Sequence, residues 1–138
     1  QLRKMTRIFL VNRTRQKAEN LAADFGTPVE VVDFGDLPDA MTSAGLLVNT
    51  TSLGMRGQPP LTLDLTPLPP HAIVSDIVYV PLETSLVKAA KTRGLRAVSG
   101  IGMLLHQAVP GFERWFGKKP RVTAELRGFV EADILAAV

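Results

Sequence analysis

Asn12, Arg13, Thr14, Arg15 and Lys17 crowd together between an apolar run at 8–11 and a stretch in which Ala18, Leu21, Ala22 and Phe25 recur at helical spacing. A guanidinium grips a phosphate through two parallel N–H bonds. Amide and hydroxyl groups such as those of Asn12 and Thr14 add neutral bonds, and the free N–H groups at a helix start add a favourable dipole. Cations at a helix start otherwise oppose that dipole. The cluster is therefore either an anion site or a set of solvated surface charges, and only the first gives the charges a local use.

Three further stretches carry groups able to do chemistry. "NTTSLGM" (49–55) offers Asn49, Thr50, Thr51 and Ser52 after an apolar strand. A small polar loop at a strand's carboxyl end either approaches a ligand closely or satisfies its own backbone. "VSDIVYVP" (74–81) puts Asp76 and Tyr79 at a strand end. Tyr79 can bond a polyol or carboxylate, act as a general acid, or cap the core edge; Asp76 can cap a turn. "SGIGML" (99–104) is only half of a G-x-G-x-x-G phosphate loop, because position 105 is Leu. Gly100 still permits close backbone approach to a flat ring. Met103 and Gln107 stand four residues apart and share a helix face. A glutamine amide both donates to and accepts from a hydroxyl; the plainer reading of Gln107 is exposure to solvent. His71 and His106 have no acid or nucleophile at a telling spacing. Phe112, Trp115 and Phe116 read as core anchors.

The elements that must position these groups alternate. Strands are expected at 8–11, 29–32, 45–49, 72–79 and 96–98, with helices at 15–25, near 37–44, at 83–93 and 100–117, and a last helix capped by Thr123 with Leu126, Phe129, Val130 and Ile134 on one face. Pro110 is expected to kink or split the 100–117 helix. Five prolines between 56 and 70 mark a surface loop. Such alternation implies α/β architecture, a Rossmann-like doubly wound parallel sheet with a C-terminal helical segment. The 7–22 stretch reads as the second strand and second helix of that fold. There the NAD version places an acid on the ribose hydroxyls, whereas this chain places Arg13, which suits the ribose phosphate that only NADP carries. Two charge-assisted bonds at about 1.5–3 kcal/mol each would favour NADP by a factor of roughly hundreds. The fold's first strand and Gly-rich loop are not found, so residues 1–138 read as a partial NADP-binding domain. Such a piece is expected to be poorly stable alone or to pair with a complementary piece.

Composition narrows the partners. The chain has 138 residues and is 46% hydrophobic, enough for a packed core. Net charge is +3, but the excess lies at one end: Arg3, Lys4, Arg7, Arg13, Arg15 and Lys17 all precede the first acid, Glu19. That fits a local anion site better than a nucleic-acid track. The lack of cysteine excludes disulfides, thiolate catalysis and Cys-ligated zinc, and no metal-ligand set stands out. No apolar run reaches membrane-spanning length. A cytoplasmic setting is the expectation.

"NRT" after a strand, "NTTSLGM", "DIVYVPLET" and "GIGMLLHQAVPGFERWFG", in that order, resemble the carboxy-terminal NADP-binding domain of shikimate dehydrogenases over about residues 6–138. The resemblance implies NADPH-dependent reduction of 3-dehydroshikimate to shikimate in aromatic amino-acid (chorismate) biosynthesis. It implies cofactor binding by Asn12, Arg13, Thr14, Lys17, Asn49, Thr50, Thr51, Ser52, Gly100 and Met103, and substrate binding by Tyr79 and Gln107. Alternatives are a quinate/shikimate dehydrogenase relative and a non-catalytic dehydrogenase-like regulatory domain. The family's catalytic Lys and Asp belong to an amino-terminal substrate domain with no counterpart here, so no catalytic residue is expected in this stretch, and the chain alone is expected to be inactive. Residues 121–138 are expected to pack toward that domain, and the intact enzyme to be a monomer or homodimer. Many members read Asp-Gly where this chain reads Ser99-Gly100.

Overall fold

The computed structural model describes residues 6–136; Arg3 and Lys4 of the basic end, and residues 137–138 of the expected last helix, lie outside them. The described residues divide into two units, one running up to Ala44 with Pro67–Pro69 added, the other Gly45–Thr66 with the residues from Pro70 onward.

The first unit is one strand–helix–strand crossover and a short helix. Strand β1 (Ile8–Leu10) leads through a turn into helix α1 (Arg15–Phe25), then strand β2 (Val29–Val31) and helix α2 (Leu37–Met41). β1 and β2 pair in parallel, with Ile8 opposite Val29 and Leu10 opposite Val31. A parallel pair needs a crossover of at least a dozen residues, which the connection between Leu10 and Val29, built around α1, supplies. Thr27–Pro28, ahead of β2, is a cis peptide bond, as is Val80–Pro81 of the second unit.

In the second unit, β3 (Leu46–Asn49), β4 (Ile73–Asp76) and β5 (Arg96–Val98) form a parallel sheet in that order. Helix α3 (Ser85–Thr92) connects β4 to β5, and helices α4 (Ile101–Phe116) and α5 (Ala124–Ala136) follow. β4 is central and bonded on both sides, and its Val74 and Asp76 are buried. α3 shows how the sequence builds a helix that positions a site. Thr84 caps its start by accepting from the Val87 N–H, while Leu86, Val87 and Ala90 bury one face. Burying the leucine and valine contributes about 1.5–3 kcal/mol each. Lys91 sits in the last turn, favourable to the dipole. Gly94, at φ +75°, closes the helix while Leu95 N–H reaches back to Ala90 O and Gly94 N–H to Lys91 O, each at 2.9 Å.

Three expectations need correction. The strand expected at 72–79 ends at Asp76, because the Asp76 carboxylate accepts from the Val78 N–H and turns the chain out of the ladder. α4 is not split at Pro110 but continues through it as one helix. That position is exposed, where water can satisfy the carbonyl that proline leaves unbonded. Phe112, Trp115 and Phe116 are exposed, Trp115 at 79%, and so do not anchor this unit's core. On α5, Thr123 does cap, accepting from Leu126 N–H at 3.1 Å, and Ile134 is buried, but Leu126 and Phe129 are exposed. Among the described residues no helix is long and apolar enough to cross a membrane, and no cluster of His, Asp and Glu could hold a metal.

Candidate functional site

The first unit presents the basic turn. After β1, the Asn12 side chain donates to Thr14 O at 2.8 Å and pins the turn. Thr14 is the extended residue before α1, its hydroxyl making no capping bond. The cations then divide. Arg7 bonds Glu30 at 2.7 Å and lies over the Phe9 ring. Arg15 bonds Glu19 at 2.7 Å and also pairs with Asp33 just beyond β2. Those bonds, Asp33 first and then Glu19, raise the Arg15 pKa above its ordinary value. Arg13 and Lys17 are exposed, and no side-chain partner meets either among the described residues. α1 has no acid in its first turn. Two unneutralised cations at a helix start are unfavourable until an anion arrives.

The second unit holds a concavity of about 340 Å³ lined by Thr50, Thr51, Ser52 and Met55 from the loop after β3, Ile77–Val80 from the loop after β4, and Met103 of α4. It thus brings together Thr50, Thr51, Ser52, Tyr79 and Met103 of the expected residues. Its walls are mostly apolar, with Thr50, Thr51, Ser52 and Tyr79 adding hydroxyl groups to the lining. Such a lining suits a flat ring with a few polar contacts. Sequence reasoning missed Met55, Ile77, Val78 and Val80 as wall residues. Their signal was position, inside two of the quoted motifs, and their apolar character hid it.

Three expected residues of the second unit lie outside that lining. Asn49 is 5% exposed and its amide serves its own loops, donating to Asp76 at 3.0 Å and Leu53 O at 3.2 Å, and accepting from Thr51. Gly100 is buried, and a Cβ there would collide with the Ile77 carbonyl oxygen and come within 2.6 Å of Val78 O. Glycine is required by the protein's own backbone, which locks the start of α4 onto the Tyr79 loop. Gln107 is exposed on α4, one turn beyond Met103. His71 and His106 are exposed.

A second concavity, about 410 Å³, is lined by Lys91, Arg96, Arg127 and Ser99 among others. Lys91 pairs with Glu83 and Arg127 with Glu131, so most of its charge is answered from within.

Parallel strands, crossover helices and polar loops at the strand carboxyl ends define a protein of the Rossmann-like α/β class. Comparison with known proteins narrows the class. The chain is 61% identical over 131 residues to the shikimate dehydrogenase (NADP(+)) of Methylocella silvestris, covering 95% of this chain and 47% of that protein. A model of the shikimate 5'-dehydrogenase C-terminal domain matches residues 100–124. Quinate dehydrogenase from Corynebacterium glutamicum, solved in complex with NAD, superposes with a TM-score of 0.78 at 29% identity, over 96% of this chain and 47% of that one. Shikimate 5-dehydrogenase from Thermus thermophilus, in complex with NADP(H) and shikimate, gives 0.72 at 30% identity, over 94% and 46%. The chain belongs to the shikimate dehydrogenase family. It spans about half the length of the curated relatives it matches.

Proposed function

We propose that this chain is the NADP-binding part of a shikimate dehydrogenase, acting in reduction of 3-dehydroshikimate to shikimate. The observation that carries the cofactor reading is the Asn12-pinned turn, where Arg13 and Lys17 stand without partners at the start of α1. They fit the 2′-phosphate, with the Thr14 hydroxyl and the first N–H groups of α1 as further donors. The concavity of the second unit suits the nicotinamide end: Met103, Ile77 and Val78 offer apolar surface, Thr50, Thr51 and Ser52 line its polar edge, and Tyr79 faces the substrate side. Asn49 and Gly100 serve the cofactor indirectly, by shaping those loops. When bound, NADPH supplies the hydride that reduces the substrate ketone. The chain's own residues hold and orient; Gln107 orients a ring hydroxyl and Tyr79 the carboxylate side. No residue here is assigned to proton transfer, which the family resemblance gives to a Lys and Asp of an amino-terminal substrate domain. The exposed Phe129 and Leu135 of α5 support residues 121–138 as the segment that faces such a domain. The protein works on a small molecule in the cytoplasm as a monomer or homodimer, without nucleic acid; the commitment of Arg7 and Arg15 to internal acids supports the last point.

Titration of the chain with NADP+ and NAD+ tests the cofactor reading, the expected result being tighter NADP+ binding. Equal affinities would overturn it. The quinate dehydrogenase likeness favours a second reading, a relative that also takes quinate; turnover of shikimate against quinate by the complete enzyme separates the two. In that enzyme Gln107→Ala is expected to raise KM for shikimate while leaving NADP+ affinity unchanged; steady-state kinetics with both substrates varied checks this.

A further inference from the structure

Behind the concavity of the second unit, three buried side chains that do not line it are joined in a relay. Thr84, 1% exposed, donates its hydroxyl to Asp76 Oδ2 at 2.7 Å. Asp76, also 1% exposed, accepts at Oδ1 from the Val78 N–H and from Asn49 Nδ2, both at 3.0 Å. Asn49 Oδ1 in turn accepts from the Thr51 N–H at 3.0 Å and the Thr51 hydroxyl at 2.8 Å. One branch ends on Val78, beside Tyr79; the other ends on Thr51. Both loops, the one after β4 and the one after β3, contribute to the lining. Backbone bonds join the same two loops, Ile77 N–H to Asn49 O at 3.1 Å and Arg56 N–H to Val80 O at 2.9 Å. The relay starts at a helix cap, since the Thr84 oxygen also accepts from the Val87 N–H at 3.3 Å.

We propose that Thr84 is a positioning residue. Its hydroxyl fixes the orientation of Asp76, and Asp76 sets the spacing of the two loops and the place of Tyr79 within the second of them. A cap needs only an acceptor oxygen. This position uses a donor as well, and only a hydroxyl of this size supplies both. Without the donor, Asp76 Oδ2 is buried and unpartnered, which is costly at so dry a site. The carboxylate then turns to find another donor and releases Val78 and Asn49. The functional meaning of this rests on the reading of the concavity as the nicotinamide-and-substrate pocket.

These 138 residues include one tyrosine, so fluorotyrosine labelling of the 138-residue chain gives a single fluorine NMR line from Tyr79 itself. Wild type and Thr84→Ser are expected to show one sharp line at one shift. Thr84→Val, which keeps the shape and loses the hydroxyl, is expected to show a moved, broadened or doubled line with unchanged far-ultraviolet circular dichroism. A wild-type line in folded Thr84→Val overturns the proposal. If Thr84→Val does not fold, Asp76→Asn decides: a displaced line supports the relay and an unmoved line overturns it. In parallel, NADP+ affinity of Thr84→Val is expected to fall about tenfold, while the NADP+ to NAD+ ratio, set at Arg13, stays at its wild-type value. Failure of wild type to bind either dinucleotide would overturn the functional reading alone, since the NMR comparison needs no ligand.

Discussion

Arg13 and Arg15 stand two positions apart and are not equivalent. Arg15 already commits its guanidinium to Glu19 and Asp33; Arg13 has no such claim on it. Arg13→Ala is therefore expected to weaken NADP+ binding at least tenfold, about 1.5 kcal/mol or more, with NAD+ affinity nearly unchanged, whereas Arg15→Ala should cost NADP+ binding less than about threefold. Calorimetric titration of both variants with both dinucleotides checks the pair, and equal losses would remove Arg13 from the phosphate. The sequence made the basic turn legible because residue type and local spacing define it. It could not sort the cations, because Asp33 reaches Arg15 from the far side of a crossover. The internal bonds of Asn49 were hidden for a similar reason. Its type suits a ligand, but Asp76, distant in the chain and adjacent across the sheet, takes its amide first.

The elements were legible where a periodic signal ended in a local stop, as in α3 with Thr84 before it and Gly94 after it. They were less so where a side chain ends an element. The loop that carries Tyr79 begins at Asp76 because a carboxylate captures a backbone N–H, which no apolar pattern announces. Gly100 belongs to this scale. Any side chain there collides with carbonyls that cannot move aside, so Gly100→Ala is expected to destabilise the protein by about 3 kcal/mol or more, read as a lower urea midpoint. A cost below about 0.5 kcal/mol would show that α4 and the Tyr79 loop are not locked. On the outer side of α3, Lys91 bonds Glu83 at 2.5 Å and holds its carboxyl below the ordinary value of 4.5. A depressed acid adds stability above its unfolded pKa, and that part disappears as pH falls through the folded one. The melting temperature should hold from neutrality to about pH 5 and drop below 4.5. Thermal melts of Glu83→Gln should show a shallower drop; an identical drop would exclude the pair as a contributor.

For the molecule as a whole, the order of strands and helices and the family likeness were readable, while the fate of the aromatic residues was not. Helical spacing of Phe112, Trp115 and Phe116 states that a face resists water; it does not state what covers the face. Phe112 and Phe116 shelter each other, with ring centres 4.5 Å apart, and Phe129 on α5 is 75% exposed. Trp115 emission is expected to lie at the long-wavelength, aqueous end of its range and to be quenched efficiently by acrylamide. A shielded, blue-shifted spectrum would contradict the exposure. The sequence contains one indole, and it stands on this uncovered face rather than in a core. Its colour therefore registers company instead of folding: whatever settles on these helices, be it another copy, a neighbouring domain or a detergent, writes its arrival into the fluorescence with no dye attached.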